Sequence, residues 1–201
     1  MPARSQAVTP LLAKIAWWAG ILGWYVIRYP HQWRARQIPR GEKPGRMLEL
    51  TLLSISFCGL FVIPVTYVMT NQPGFADYMF SPAVAWLGVI VFALSLVLFY
   101  RTHSDLGRFW SRTLEIRPSH QLVTTGIYSY VRHPMYSAFF LWALAQALLL
   151  PNWIAGPAGL AGFGTLFCFR IRREERMMEE AFGDAYHAYA TRTRRLVPGL
   201  F

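Results

Sequence analysis

Five runs of apolar residues, at about 11–29, 47–69, 82–100, 136–150 and 154–169, alternate with shorter polar or basic stretches along the chain. The first three come close to the roughly 20 residues that a helix needs to cross a hydrocarbon core, and the pattern predicts three spanning helices there. The last two runs are shorter, and only Pro151, Asn152 and Trp153 part them. This spacing predicts a tight helical hairpin, short or tilted, in a locally thin bilayer. The fold expected is an all-α integral membrane protein of about five transmembrane helices, with one domain over residues 1–201 and a C-terminal helical segment beyond the last span.

The fifth run carries Gly156, Gly159, Gly162 and Gly164, a spacing of small residues that lets helix backbones approach closely. The rival reading of GLAGFG as a nucleotide-binding glycine loop fails, because no strand precedes it and its flanks are lipid-like. Beyond residue 169 the same helix continues as a basic and acidic segment. Gly183 followed by Asp184 predicts a helix stop and then an N-cap. Phe182, Tyr186 and Tyr189 recur at helical spacing, suited to packing back on the bundle or bounding a site.

The composition agrees with a membrane protein: 54% of residues are hydrophobic, 15% are charged and the mean hydropathy is +0.28. A net charge of +10 would suggest nucleic acid in a soluble protein, but here the basic residues flank apolar spans. Six lysines and arginines fall in 28–46, five in 101–136 and seven after residue 169, whereas 70–81 and 151–153 hold none. The positive-inside rule makes the three basic stretches cytoplasmic, so the N-terminus is expected outside and the C-terminus inside. Lys14 and Glu49 sit near span ends and read as snorkelling residues, and His31 and His103 as interfacial ones. Cys58 and Cys168 lie inside apolar runs and read as small core residues. The first apolar run is followed by a basic loop rather than a small-residue cleavage site, so no cleavable signal is expected.

Against this background the stretch 120–136, HQLVTTGIYSYVRHPMY, is dense in functional groups. Pro134 disfavours helix at the residue before it, so Arg132 and His133 are expected at a turn that opens a new helix. An imidazole, a guanidinium and the phenols of Tyr128 and Tyr136 then share one membrane–water boundary with His120. Arg170 and Glu174, one helical turn apart, leave the last span on the same side. For that pair alone, the plain alternative is an interfacial salt bridge worth about 0.3–0.5 kcal/mol. Arg170 abuts an apolar span, however, and an ionisable group at membrane depth points to function. No catalytic triad, carboxylate pair or metal-ligand spacing can be assembled from these residues.

HxLVTTGIY, then RHPMY, a hydrophobic hairpin, R-x-x-x-E-E, FGDAYHAY and a closing RRLVPGLF together resemble the isoprenylcysteine carboxyl methyltransferase family over about residues 105–201. Phospholipid N-methyltransferases are its broader relatives. The resemblance implies a multi-span enzyme that binds S-adenosylmethionine on the cytosolic side. It implies cofactor contacts at His120, Gln121, Leu122, Val123, Tyr128, His133, Pro134, Met135, Tyr136 and Glu174, and a role in acceptor handling and transfer for Arg170. It further implies a lipophilic acceptor arriving from the bilayer, with a carboxylate favoured as the methylated group. An ionised carboxylate needs positioning and desolvation rather than a base, which suits a sequence poor in candidate bases. The alternatives are amine methylation of a phospholipid, which asks a base of His133 or a carboxylate, an NADPH-dependent sterol-type reductase, and a membrane scaffold without activity. A scaffold would account for the apolar spans but not for the polar constellation. The first half of the chain matches no motif.

Overall fold

The computed structural model describes residues 9–36, 46–107 and 122–198, apart from the side chains of 32–36 and 46. In chain order its α-helices are α1 (Pro10–Arg36), α2 (Arg46–Phe57), α3 (Ile63–Thr70), α4 (Pro82–Leu106), α5 (Pro134–Leu149), α6 (Ala158–Phe182) and α7 (Asp184–Arg192). A π-helical segment, Cys58–Val62, joins α2 to α3, so the two read as one interrupted helix. Among the described residues, three stretches are long and apolar enough to cross a membrane: Pro10–His31, Met47–Thr70 and Pro82–Leu106. At about 1.5 Å per residue, the 16-residue α5 is about 24 Å long, shorter than a hydrocarbon core.

Helices outrun the apolar runs that announced them. α1 continues through Pro30 to Arg36 and α4 to Leu106, so part of each expected basic loop is helical. α6 starts at Ala158, because residues 150–157 form a longer connection than three residues. Gly183, at φ 49°, is itself the N-cap of α7, and Asp184 is the first helical residue; its carboxylate complements the helix dipole from there. Cys58 and Cys168 are exposed rather than buried. In a membrane bundle the lipid-facing surface is as apolar as the interior, so apolar context alone does not identify the core. His103, by contrast, is fully buried, with Nδ1 2.9 Å from the Phe99 carbonyl oxygen and its ring 4.9 Å from that of His31.

α4 packs along α5, and a spine of rings runs from α1 to α6 through them. Trp24 meets Trp142 at 5.3 Å, Phe139 stacks on Trp142 at 5.7 Å, and Phe163 stacks on Phe139 at 5.0 Å. α2 and the π-helical segment cross α6 so closely that a Cβ on Gly59 would lie 2.2 Å from the Ala158 carbonyl oxygen, and one on Gly162 2.8 Å from that of Ile55. The expected close approach is met at Gly162; Gly164 has nothing within 4 Å of its Cβ position and takes no part. The fully buried Gln146 donates from Nε2 to the Gly59 carbonyl at 3.1 Å, and so serves a carbonyl within the π-helical segment.

At the end of the bundle away from the basic segments, Asn152 ties two loops together. It is fully buried. Its Nδ2 donates to the Pro73 carbonyl and to Asp77 Oδ1, both at 2.8 Å, while its Oδ1 accepts from the backbone of Ile154 and Ala155. Asn152→Ala strands these groups and should destabilise the protein by on the order of 3 kcal/mol. The check is a lower thermal unfolding midpoint in detergent; an unchanged midpoint would mean that packing alone holds the loops.

Candidate active site

The polar stretch takes its shape from its neighbours. At its start, Ile127 N donates to Asp105 Oδ2 at 2.7 Å and fastens the turn Gly126–Ser129 to the end of α4. Gly126 sits at φ 62°, and a Cβ there would lie 2.3 Å from the same Asp105 oxygen, so the turn requires glycine. Tyr128 is buried in this turn, and its carbonyl accepts a hydrogen bond from the Tyr189 hydroxyl at 2.7 Å. Burial pushes the Tyr128 phenol well up, and the nearby Glu174 carboxylate adds to the effect. The turn at Arg132 and His133 forms as expected, with Pro134 opening α5.

The chain after α7 returns to this turn. Arg132 N donates to the Arg194 carbonyl at 2.7 Å, His133 N to that of Arg195 at 3.0 Å, and Ser137 Oγ to that of Leu196 at 2.6 Å. One carboxylate anchors the assembly. Glu175 Oε1 accepts from Arg132 Nη2 at 3.2 Å and from Arg195 Nε at 3.1 Å, and lies 3.4 Å from His133 Nε2. Glu175 Oε2 accepts from Arg195 Nη2 at 2.7 Å. Arg132 Nη1 also reaches the carbonyls of Ala190, at 2.9 Å, and Thr193. Burial alone would raise the Glu175 carboxyl, but the His133 and Arg195 hydrogen bonds outweigh it and hold the group well below the usual carboxylate range. Tyr186 and Tyr189 are buried under the clasp, and Phe182 is half-buried.

A second cluster faces the apolar bundle. The Tyr136 hydroxyl donates to Glu174 Oε2 at 2.5 Å, and its ring lies 5.4 Å from that of Phe167 and 5.9 Å from that of Phe163. Arg170 stands within electrostatic range of the Tyr136 hydroxyl. Its Nε is buried without a hydrogen-bond partner among the described residues. Glu174 is therefore engaged by Tyr136, and the plain Arg170–Glu174 salt bridge is not formed among the described residues.

The expected constellation thus divides in two. Tyr128, Tyr136, Arg170 and Glu174 converge on the bundle-facing side. His133 and Arg132 turn instead to Glu175, the neighbour that the R-x-x-x-E-E pattern left undistinguished from Glu174. Pro134 is buried and Met135 half-buried at the head of α5, and Leu122 and Val123, also half-buried, open the described part of the stretch. His120 and Gln121 lie outside the described residues. Glu175 was missed, because R-x-x-x-E-E offers two adjacent carboxylates and only the return of residues 194–196 to the turn shows which of them meets Arg132 and Arg195.

Residues 84–180 match the model of the isoprenylcysteine carboxyl methyltransferase (ICMT) family. The match takes in 97 of the 201 residues, so the chain is similar to that family over just under half of its length. The family region holds α4, α5 and nearly all of α6, and with them Tyr128, Arg132, His133, Tyr136, Arg170, Glu174 and Glu175. Among ICMT relatives, the protein-S-isoprenylcysteine O-methyltransferase of Schizosaccharomyces pombe is 40% identical over 39% of this chain and 34% of its own length. Protein-S-isoprenylcysteine O-methyltransferase B of Arabidopsis thaliana is 31% identical over 61% of this chain and 66% of its own. The solved eukaryotic intramembrane Ras methyltransferase ICMT superposes with a TM-score of 0.52 over 79% of this chain and 55% of that one, at 24% identity, and so shares the fold. This chain therefore spans a third to two thirds of these relatives' lengths.

Proposed function

We propose that the protein is an integral membrane methyltransferase that transfers the methyl group of S-adenosylmethionine to a carboxylate of a lipophilic acceptor. The observation that carries this reading is the bundle-facing cluster, where a carboxylate, two phenols and a buried guanidinium nitrogen meet at the edge of an aromatic wall. The residues fit the cofactor. A cationic sulfonium suits the Glu174 carboxylate and the faces of neighbouring rings. Tyr128, Tyr136 and Glu174 offer hydrogen-bond partners for its ribose and amino-acid end, and Leu122 and Val123 an apolar cover for its adenine. When bound, S-adenosylmethionine supplies an electrophilic methyl group.

The chain's own residues do the rest. Arg170 fixes the acceptor carboxylate through parallel hydrogen bonds and orients one oxygen. The rings of Phe163 and Phe167 keep water away, which strengthens that contact. An ionised carboxylate asks for no base, and His133, the imidazole that amine methylation would call on, is turned to Glu175. Binding measurements on the detergent-purified protein should show affinity for S-adenosylmethionine and none for NADPH. With labelled cofactor, acceptor profiling should favour lipophilic carboxylates over phosphatidylethanolamine. Binding of NADPH alone, or label passing only to the amine lipid, would overturn the reading.

In the bilayer we place all five apolar stretches across or within the membrane, with the basic segments and the clasp in the cytosol. Because α5 is short and its far end is tied to the opposite loops, its first turn sits recessed toward the bilayer, within reach of an acceptor in the lipid. Reporter fusions near Gly41 and after Phe201 should report the same side, and one near Gln72 the other. Opposite sides for the first two would dismantle this topology.

A further inference from the structure

α2 contributes a residue to the site that no motif marks. The contacts that α2 and the π-helical segment after it make with α6 run antiparallel, with Gly59 against Ala158 and Ile55 against Gly162. The next seam positions are the buried Leu52 and Leu166. One turn further along each helix stand Glu49 and Arg170, level with one another. Both carry a buried polar atom without a hydrogen-bond partner among the described residues, Oε1 of Glu49 and Nε of Arg170. Both also act electrostatically on the Tyr136 hydroxyl, so the three side chains share one locality. A carboxylate in the first turn of α2 would favour the helix dipole from any exposed position. That plain role leaves the burial of its oxygen unexplained.

A lone guanidinium at a membrane boundary is drawn out along its flexible stem toward water. A carboxylate facing it across the seam opposes that pull. Glu174, one turn along α6, is occupied by Tyr136 at 2.5 Å, which leaves Glu49 as the opposing charge.

We propose that Glu49 is a positioning residue for Arg170, holding the guanidinium inward across the α2–α6 seam so that it meets the acceptor at the bundle-facing side. The proposal rests on the methyltransferase reading for its kinetic consequence but not for its structural one. If Glu49 holds Arg170 in, removing its charge releases the guanidinium to the aqueous boundary whether or not any reaction follows.

The test uses the full chain in detergent, as wild type, Glu49→Gln and Glu49→Ala. Phenylglyoxal, an arginine-selective reagent, is applied for timed intervals, and labelling at Arg170 is followed by peptide mass spectrometry, with Arg192 as an internal reference. Labelling of Arg170 relative to Arg192 should rise at least fivefold in both variants. S-adenosylhomocysteine affinity should stay within twofold, and the acceptor KM should rise about tenfold. Unchanged relative labelling in Glu49→Gln, which preserves side-chain shape, would overturn the proposal even if Glu49→Ala fails to fold. Faster labelling in variants of a wild type that shows no methyl transfer would uphold the positioning role and defeat the reaction assigned above.

Discussion

Arg170→Lys should lose roughly 100-fold or more in single-turnover methyl transfer, the scale on which removal of one preorganised donor is felt. It should do so while keeping the fold and binding S-adenosylhomocysteine within about twofold. A guanidinium offers a planar fork that grips a carboxylate by two parallel hydrogen bonds and leaves a lone pair on one oxygen for attack. A lysine ammonium is a point charge on a flexible stem and cannot fix that plane. The substitution keeps the positive charge opposite Glu49, so long-range electrostatics change little. Arg170 Nε has no partner among the described residues, so few internal contacts are sacrificed. Cofactor affinity and turnover measured on one preparation separate the outcomes. Near-normal turnover would give Arg170 a structural role, and a parallel loss of affinity would make it a cofactor ligand.

The sequence made the all-helical architecture legible because apolar runs and their charged flanks are strong, local signals. It misplaced helix ends because a helix does not stop where its apolar run stops. α1 and α4 run on through basic and polar residues whose backbone still favours helix, and α6 begins late because Asn152 and its partners consume residues 150–157. Much of the candidate site was legible too, because Pro134 sets the turn and the spacing of Arg170 and Glu174 sets one face of α6. The choice between Glu174 and Glu175 was not. Adjacent helix positions point about 100° apart, so one faces the bundle and the other the clasp, and only the path of residues 193–197 shows which. Glu49 was equally hidden, since its place depends on the register of α2 against α6, fixed by Gly59 and Gly162 far along the chain.

Glu174→Gln and Glu175→Gln, one residue apart and chemically the same change, should fail in different ways. Glu174→Gln removes a charge from the bundle-facing cluster but leaves Tyr136 an oxygen to donate to. It should weaken S-adenosylhomocysteine by about 1–3 kcal/mol, as for one charge-assisted hydrogen bond, with little change in unfolding. Glu175→Gln strips the anion from a site where Arg132, His133 and Arg195 converge. The side chains of Arg132 and Glu175 are each only 12% exposed, and breaking such a pair costs about 3–5 kcal/mol. Arg195, 40% exposed, adds little because solvent screens it. The clasp between residues 131–137 and 193–197 should loosen and the unfolding midpoint fall. The pH dependence gives an independent check. The folded carboxyl of Glu175 is held below its unfolded value, so its contribution is complete above the ordinary carboxylate pKa of about 4.5 and fades as the pH drops below that. Wild type and Glu175→Gln should therefore differ most in stability near neutrality and converge in acid. A gap that persists undiminished down to pH 3 would show that the variant suffers from altered packing rather than from a lost charge.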